Sequence, residues 1–98
     1  MAQYFNITGA LTQELLAAGS NVSASNIRLT NIHASDAVTV DLYIEKKLKG
    51  KFYITKSKSI ANADFLVLEN VGFNNSAGEF GLYIKLNASD SAVDVIIK

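Results

Sequence analysis

The residues best able to do acid–base or nucleophilic chemistry lie in one short stretch around the single histidine of the chain. His33 is followed by Ser35 and Asp36, which are the three residue types of a hydrolytic triad. In a triad, the base contacts the nucleophile on one side and its orienting carboxylate on the other, which neighbours in one turn cannot achieve. We therefore interpret His33 as an ordinary surface histidine and predict no catalytic residues and no enzyme activity.

Metal and cofactor chemistry also lacks the residues it needs. The chain has no cysteine, one histidine and dispersed carboxylates, so the sequence shows no set of ligands with metal-site spacing. Asp41 and Asp94 are expected on the outer faces of their strands, but nothing brings them together as a glycosidase pair. None of the six glycines lies in a phosphate-binding pattern. We predict no metal and no cofactor.

A lysine cluster between positions 46 and 58 holds six of the nine basic residues. Because Phe52 and Tyr53 lie within it, the cluster could follow a nucleic-acid backbone while the rings stack on bases. The interpretation we favour is a solvated hairpin whose lysines keep a sheet edge from pairing with other sheets. Salt contacts to an acidic protein surface are a third use, and nucleic acid is not expected as a partner.

Three tyrosines are predicted to point away from the core. If they share an exposed sheet face, they form a patch of the kind used in subunit contacts. Tyrosines also fill cross-strand positions without any partner, and the sequence leaves both interpretations open. With the lysines, the candidate interaction residues are Tyr43, Tyr53, Tyr83, Lys46, Lys47, Lys49 and Lys51.

These side chains are positioned by strands, of which Ala37–Glu45 is the clearest. Its even-numbered residues are all apolar, whereas its odd-numbered residues after Ala37 are polar or aromatic, which predicts a strand with one buried face. Leu11–Ala18 contains good helix formers, but it is too short for a stable isolated helix, so we favour a strand. The other predicted strands are Gln3–Thr8, Asn26–Ile32, Lys51–Lys56, Phe65–Glu69, Phe80–Leu86 and Ala92–Lys98.

The segments between these strands are rich in turn-forming residues. Loops are predicted at Gly19–Ser25, Ser57–Asp64 and Asn70–Glu79; in the last, Val71 and Phe73 are placed to close the end of the core. The apolar run Phe65–Glu69 is typical of a fully buried strand. Strand spacings of about 8–12 residues without crossover helices predict an all-β, antiparallel two-sheet β-sandwich, immunoglobulin-like or jelly-roll-like, with seven to eight strands in one domain, residues 1–98.

Composition narrows the setting in which such a domain works. Nine basic and nine acidic residues cancel, so there is no overall field to attract nucleic acid or an anionic surface. Proline is absent, so sheet edges need other protection, such as burial against another subunit. No run reaches the roughly 18–20 apolar residues of a membrane span, and the first residues lack a secretory pattern. We expect no membrane association and a chain mature from Met1 or Ala2.

The sequence Ala-Ser-Asp occurs twice, at Ala34–Asp36 and at Ala88–Asp90, each time before an alternating strand. A duplicated half-domain would explain the repeat. The interpretation we favour is that the same turn chemistry begins two strands.

Taken together, these turn-and-strand units resemble a family of small virion proteins of tailed bacteriophages, those of cyanophages in particular. The residues that carry the resemblance are Asn26–Ile44, Phe52–Lys56 and Gly81–Ile97, with a weaker contribution from Leu11–Ser23. The chain departs from the family pattern in having no proline-containing turn at Ala61–Asp64 and a longer lysine loop.

The resemblance implies a non-enzymatic structural subunit, made in the host bacterial cytoplasm and incorporated into the virion in many copies. Its partners would be other virion proteins, such as the major capsid protein or neck and tail subunits, together with further copies of itself. We expect a capsid decoration or cement subunit. The alternatives are a neck, tail or fibre accessory subunit and, from a different class, a small carbohydrate- or nucleic-acid-binding module that uses the tyrosines and the lysine loop.

Overall fold

The computed structural model describes residues 3–19, 22–46, 49–74 and 80–98, and all regular structure within them is β. The strands are β1 (Gln3–Thr8), β2 (Gln13–Leu16), β3 (Ser23–Ala24), β4 (Ile27–Asn31), β5 (Val38–Lys46), β6 (Gly50–Ile60), β7 (Phe65–Leu68), β8 (Phe73–Asn74), β9 (Gly81–Leu86) and β10 (Ala92–Ile97). No helix long and apolar enough to cross a membrane is found in this part of the chain.

Eight of these strands form two four-stranded antiparallel sheets. Sheet I has the order β1-β10-β4-β7, and sheet II has the order β2-β9-β5-β6, while β3 and β8 pair separately. The predicted antiparallel β-sandwich is therefore confirmed, and the predicted number of strands matches the two main sheets.

The strand pairs are nested within one another along the sequence. β1 pairs with β10, β2 with β9, β3 with β8, β4 with β7 and β5 with β6. The chain is thus one long antiparallel ribbon, which is rolled up so that β10 also pairs with β4 and β5 with β9. A rolled ribbon of eight main strands in two sheets is the jelly roll, which decides between the two predicted types of sandwich.

The core lies between the inner faces of the two sheets and follows from alternation. In sheet II, the apolar residues of β5 and β9 face inward, and Val40, Leu42 and Ile84 are completely buried. In sheet I, Leu29 and Val93 do the same from the opposite side. Because alternate side chains of a strand point to opposite faces, the intervening residues of β5 and β9 form the outer face of sheet II.

Residues 11–18 contain strand β2 and no helix, as the favoured interpretation predicted. The prediction for Phe65–Glu69 was partly wrong, because β7 is the edge strand of sheet I and is not fully buried. Leu66 and Leu68 pack against the core, whereas Phe65 and Val67 are exposed on the outer face. An uninterrupted apolar run does not distinguish a central strand from an edge strand with an apolar outer face.

Strand β6 is longer than predicted and continues to Ile60, which is buried. Phe52 lies opposite Ile44 on the inner side of sheet II, but it is half-exposed and packs against Phe80. The alternation is obscured because the pairing of β6 with β5 contains two register shifts, and each extra residue reverses the faces of those that follow.

The loop predictions missed the short pair β3 and β8. Two paired residues on each side are too few to produce a recognisable periodicity. The prediction that Val71 and Phe73 close the end of the core is confirmed, since Phe73 is buried and Val71 packs against the core cluster. Residues 75–79 of the predicted loop lie outside the described residues.

Candidate binding site on the outer face of sheet II

Three tyrosines form a row across the outer face of sheet II. Tyr53 of β6 is directly opposite Tyr43 of β5, which is in turn opposite Tyr83 of β9. The ring centroids of Tyr43 and Tyr53 are 5.3 Å apart, and those of Tyr43 and Tyr83 are 5.6 Å apart. These distances are those of packed aromatic pairs. The three tyrosines therefore share one sheet face, a possibility that the sequence left open, and we call them the tyrosine row.

The tyrosine row is fixed at its centre and accessible at its ends. Tyr43 is only 4% exposed, whereas Tyr53 is 43% exposed and Tyr83 is half-buried. Gly81 provides room for the Tyr83 ring, because a Cβ atom at position 81 would lie 2.9 Å from the Tyr83 hydroxyl oxygen. An aromatic surface that is packed at its centre and exposed at its ends is well suited to binding.

Acidic and basic side chains surround the row. The Tyr83 hydroxyl lies 3.5 Å from a carboxylate oxygen of Glu14, to which it donates a long hydrogen bond. Burial, followed by the negative charges of Glu14 and Glu45, raises the pKa of Tyr83 above its ordinary value of 10.0. The hydroxyl therefore remains a donor at neutral pH.

Two lysines contact the faces of the row. The Lys51 Nζ atom lies 5.0 Å from the Tyr43 ring centroid, and the Lys56 Nζ atom lies 4.9 Å from that of Tyr53. Both distances are within the range of cation–π contacts. Lys51 was a candidate interaction residue, whereas Lys56 was not, because the register shift in β6 that positions it leaves no clear signal in the sequence.

Two of the remaining lysine candidates lie away from the row. Lys46 ends β5, and its Nζ atom lies 5.9 Å from the Phe80 ring centroid. Lys49 is exposed in the hairpin, where its backbone N–H donates to the Lys46 carbonyl at 3.0 Å. Lys47 lies outside the described residues. The structure thus brings together the three tyrosines and Lys51 from the predicted set.

A depression lined mostly by polar residues, which we call the polar depression, lies next to the tyrosine row on the same face. It has a volume of about 440 Å³. Asp41 and Lys85 are directly opposite each other across β5 and β9, and each lies two residues from a tyrosine of the row, or about 7 Å along its strand. The residues lining the depression are Ala10, Thr39, Asp41, Ser57, Lys85, Leu86 and Asn87.

A β-bulge positions Asp41 in this depression. Opposite Asp41, the two residues Lys56 and Ser57 of β6 take the place of one. Ser57 has a φ of 53°, which is uncommon for a residue with a side chain. Its backbone N–H donates to Asp41 Oδ1 at 2.7 Å. The sequence identified Asp41 as outward-facing but could not reveal the bulge, so the depression was missed.

His33 does not behave as the ordinary surface histidine that was predicted. Its side chain is only 13% exposed, and its Nδ1 atom accepts hydrogen bonds from the backbone N–H groups of Ser35 and Asp36, both at 3.0 Å. Since Nδ1 is an acceptor, the proton of the neutral ring is on Nε2, which lies 3.0 Å from a carboxylate oxygen of Asp90. The ring therefore joins the two Ala-Ser-Asp turns.

The same group could be mistaken for a metal site. Ligand atoms of His33, Asp36 and Asp90 all lie within 4.8 Å of one another, a convergence that the sequence did not predict. Both nitrogens of the His33 ring already take part in hydrogen bonds, however, so we interpret the group as a structural link between turns. Asp41 and Asp94 lie in different sheets and do not form a carboxylate pair.

No family model and no curated protein sequence matches the chain. Its fold is similar to that of PirA, with a TM-score of 0.61 and 7% identity over 98% of this chain and 91% of that one. The Yersinia pseudotuberculosis-derived mitogen has a TM-score of 0.48 and 15% identity over 99% and 81% of the two chains. The Anabaena sensory rhodopsin transducer has a TM-score of 0.48 and 9% identity over 97% and 91%. At 7% identity, the similarity to PirA concerns the fold alone and indicates no function for this chain.

Proposed function

We propose that this protein is a non-catalytic structural subunit that binds neighbouring protein subunits through the outer face of sheet II. The observation that carries the proposal is the tyrosine row, which presents the exposed parts of Tyr53 and Tyr83 on either side of a buried Tyr43. Tyrosine is enriched in protein interfaces because it buries a large apolar area while its hydroxyl can still form hydrogen bonds.

The charges around the row favour a protein partner. Lys51 and Lys56 lie over two of the rings, while Glu14 and Glu45 act on the third. A surface with charges of both signs can be recognised by a partner protein that carries complementary charges at the matching positions. A purely basic surface would instead favour nucleic acid.

The position of the lysine cluster also argues against nucleic acid as a partner. Strand β6 is the edge strand of sheet II, and Lys51, Lys56 and Lys58 are exposed along it. Lysines on an edge strand hinder uncontrolled pairing with the strands of other proteins. The absence of detectable binding to single-stranded DNA at low salt is the expected result.

We further propose that the assembly is a phage virion, in which the protein decorates or cements the capsid exterior. Support comes from the sequence resemblance to small virion proteins of tailed bacteriophages. Jelly-roll domains occur in viral capsid proteins as well as in lectins and cupins, so the fold is compatible with this role without specifying it. A neck, tail or fibre accessory subunit is the alternative within the same class.

Quantitative mass spectrometry of purified particles tests the virion proposal. Roughly hundreds of copies per particle are expected for a decoration subunit on a symmetric shell, whereas about six or twelve copies would indicate a ring at the neck or tail. Absence of the protein from purified particles would contradict both versions.

A matched pair of tyrosine variants tests the binding surface. Tyr53→Ala removes an exposed ring of the row, and Tyr4→Ala removes a ring that is 71% exposed on sheet I. If the row is the interface, Tyr53→Ala lowers occupancy on particles at least about tenfold, as expected for an interface hot spot. Tyr4→Ala keeps normal occupancy. Equal effects of the two substitutions would show that the interface lies elsewhere.

A further inference from the structure

The polar depression beside the tyrosine row has the chemistry of a small-molecule site, and we propose that it binds a neutral saccharide. Its volume of about 440 Å³ falls within the range of about 300–1,000 Å³ that is typical of ligand pockets. The proposal concerns the isolated chain and does not depend on the proposed role in an assembly.

The first argument is that Asp41 is held in place before any ligand arrives. The backbone N–H of Ser57 donates to its Oδ1 atom at 2.7 Å, and that N–H is available because the β-bulge removes Ser57 from the regular ladder. Backbone outliers such as the positive φ of Ser57 are concentrated at functional sites. A carboxylate can accept about four hydrogen bonds, so Asp41 retains capacity for ligand hydroxyl groups.

The second argument is the balance of charge. Asp41 and Lys85 are opposite each other across β5 and β9, and in the part of the chain that the structure describes neither forms an ion pair. One negative and one positive group at the same depression favour a ligand without net charge over a phosphate, a carboxylate or a cation. Neutral polyols fit this requirement.

The third argument is the mixture of donors and acceptors. Lys85 can only donate and the Asp41 carboxylate can only accept, whereas the hydroxyls of Thr39 and Ser57 can do both. The Asn87 amide oxygen accepts the Thr39 backbone N–H at 3.0 Å, which fixes this side of the depression. Sugar hydroxyls both donate and accept, so adjacent hydroxyl groups match such a lining.

Binding can be measured by titrating the ¹⁵N-labelled protein with glucose, galactose, mannose and N-acetylglucosamine. Any neutral sugars that bind on a glycan array are added to this set. We expect saturable shifts of the Thr39, Ser57 and Asn87 amide signals, with a Kd on the order of 1–10 mM for single sugars. Glucuronate and glucosamine, which carry a charge, bind more weakly than glucose.

Asp41→Asn should weaken binding at least about tenfold, because an amide replaces the charged acceptor. The matched control is Asp94→Asn, which makes the same change on sheet I and leaves the affinity unchanged. The amide spectrum reports whether Asp41→Asn is folded. If Asp41→Asn is not folded, Lys85→Gln takes its place in the test.

The proposal is overturned if no neutral sugar shifts these signals at about 50 mM, if a charged sugar binds more tightly, or if Asp41→Asn and Asp94→Asn behave alike. These outcomes are independent of the copy number and occupancy on particles, which test the proposed role in an assembly.

Discussion

At the scale of single residues, the position of the Tyr83 ring depends on the absence of a side chain at Gly81. An added Cβ atom would lie 2.9–3.1 Å from the outer atoms of that ring, so the ring must move while the backbone can remain in place. For Gly81→Ala, loss of the Tyr43–Tyr83 contact costs about 0.5–1.5 kcal/mol. Replacing a strand glycine returns roughly 0.5–1 kcal/mol.

Because these two effects nearly cancel, Gly81→Ala should change the free energy of unfolding by less than about 1 kcal/mol. Urea unfolding measures this quantity. The tyrosine bands of the near-ultraviolet circular dichroism spectrum should nevertheless change, because the rings no longer stack. Lys85→Ala, on the same face of the same strand, leaves those bands unchanged. An unaltered spectrum for Gly81→Ala would show that Tyr83 does not occupy the space above position 81.

A second effect at this scale is the pH dependence of the contact between His33 and Asp90. Two hydrogen bonds hold the pKa of the Asp90 carboxyl below its ordinary value of 3.8. The stronger effect comes from the His33 ring, and the weaker one comes from the backbone N–H of Asp90 itself. Because the pKa in the folded state is lower than in the unfolded state, the contact contributes stability above pH 3.8 and loses it as the pH falls through the folded-state pKa.

Asp90→Asn should therefore lower the melting temperature at about pH 7, and the difference from the unmodified chain should narrow as the pH falls below 3.8. The effect is small because Asp90 is exposed. Thermal unfolding followed by circular dichroism between about pH 7 and pH 2.5 measures it. Glu69→Gln, which removes an exposed carboxylate elsewhere, serves as the control. A difference for Asp90→Asn that stays constant over this range would contradict the assigned contact.

At the scale of elements, Asn31 at the end of β4 connects the two sheets. Its fully buried amide group donates to the carbonyls of Asp36 and Ile60, both at 2.9 Å, and its Oδ1 atom accepts the His33 backbone N–H at 2.8 Å. The amide thus links β4 of sheet I to the end of β6 and to the turn before β5 in sheet II. No hydrophobic side chain can replace these bonds.

Asn31→Ala should lower the free energy of unfolding by about 2–4 kcal/mol, because it leaves buried backbone groups without partners. Equilibrium unfolding in urea measures the change. Asn6→Ala provides the comparison, since Asn6 is exposed and bonds to Asp94 on the outer face of sheet I; its cost should stay within about 1 kcal/mol. Similar costs for the two substitutions would rule out the connecting role of Asn31.

Elements also explain which parts of the site were predictable. β5 and β9 are central strands of sheet II, so burial of one face enforces the alternation that identified Tyr43 and Tyr83. β6 is an edge strand with two register shifts. Its sequence pattern therefore predicted neither the length of the strand nor the positions of Ser57 and Lys56 in the site. The His33 link was missed because its partner Asp90 is 57 residues away, a distance that local patterns cannot bridge.

At the scale of the whole molecule, strand spacing predicted a sandwich but not which strands pair. Every strand of a sandwich must bury one face, so immunoglobulin-like and jelly-roll arrangements require the same alternation. The nested pairing depends on contacts between distant segments, such as Gln3 opposite Ile97. Such contacts are determined by the relative energies of complete folds and leave no local signal.

The nested ribbon also predicts how the chain folds. Its outer pair, β1 with β10, closes a loop that contains almost the entire chain. Such long-range contacts slow folding to roughly milliseconds to seconds.

The chain contains no proline, so the proline isomerisation phase of about 10–100 s should be absent from refolding. Stopped-flow refolding from urea, monitored by circular dichroism, should show complete recovery within seconds. The amplitudes should be the same after brief or prolonged unfolding. A slow phase that grows with time spent in urea would contradict a rate set by topology alone, because only a change within the unfolded chain could produce it.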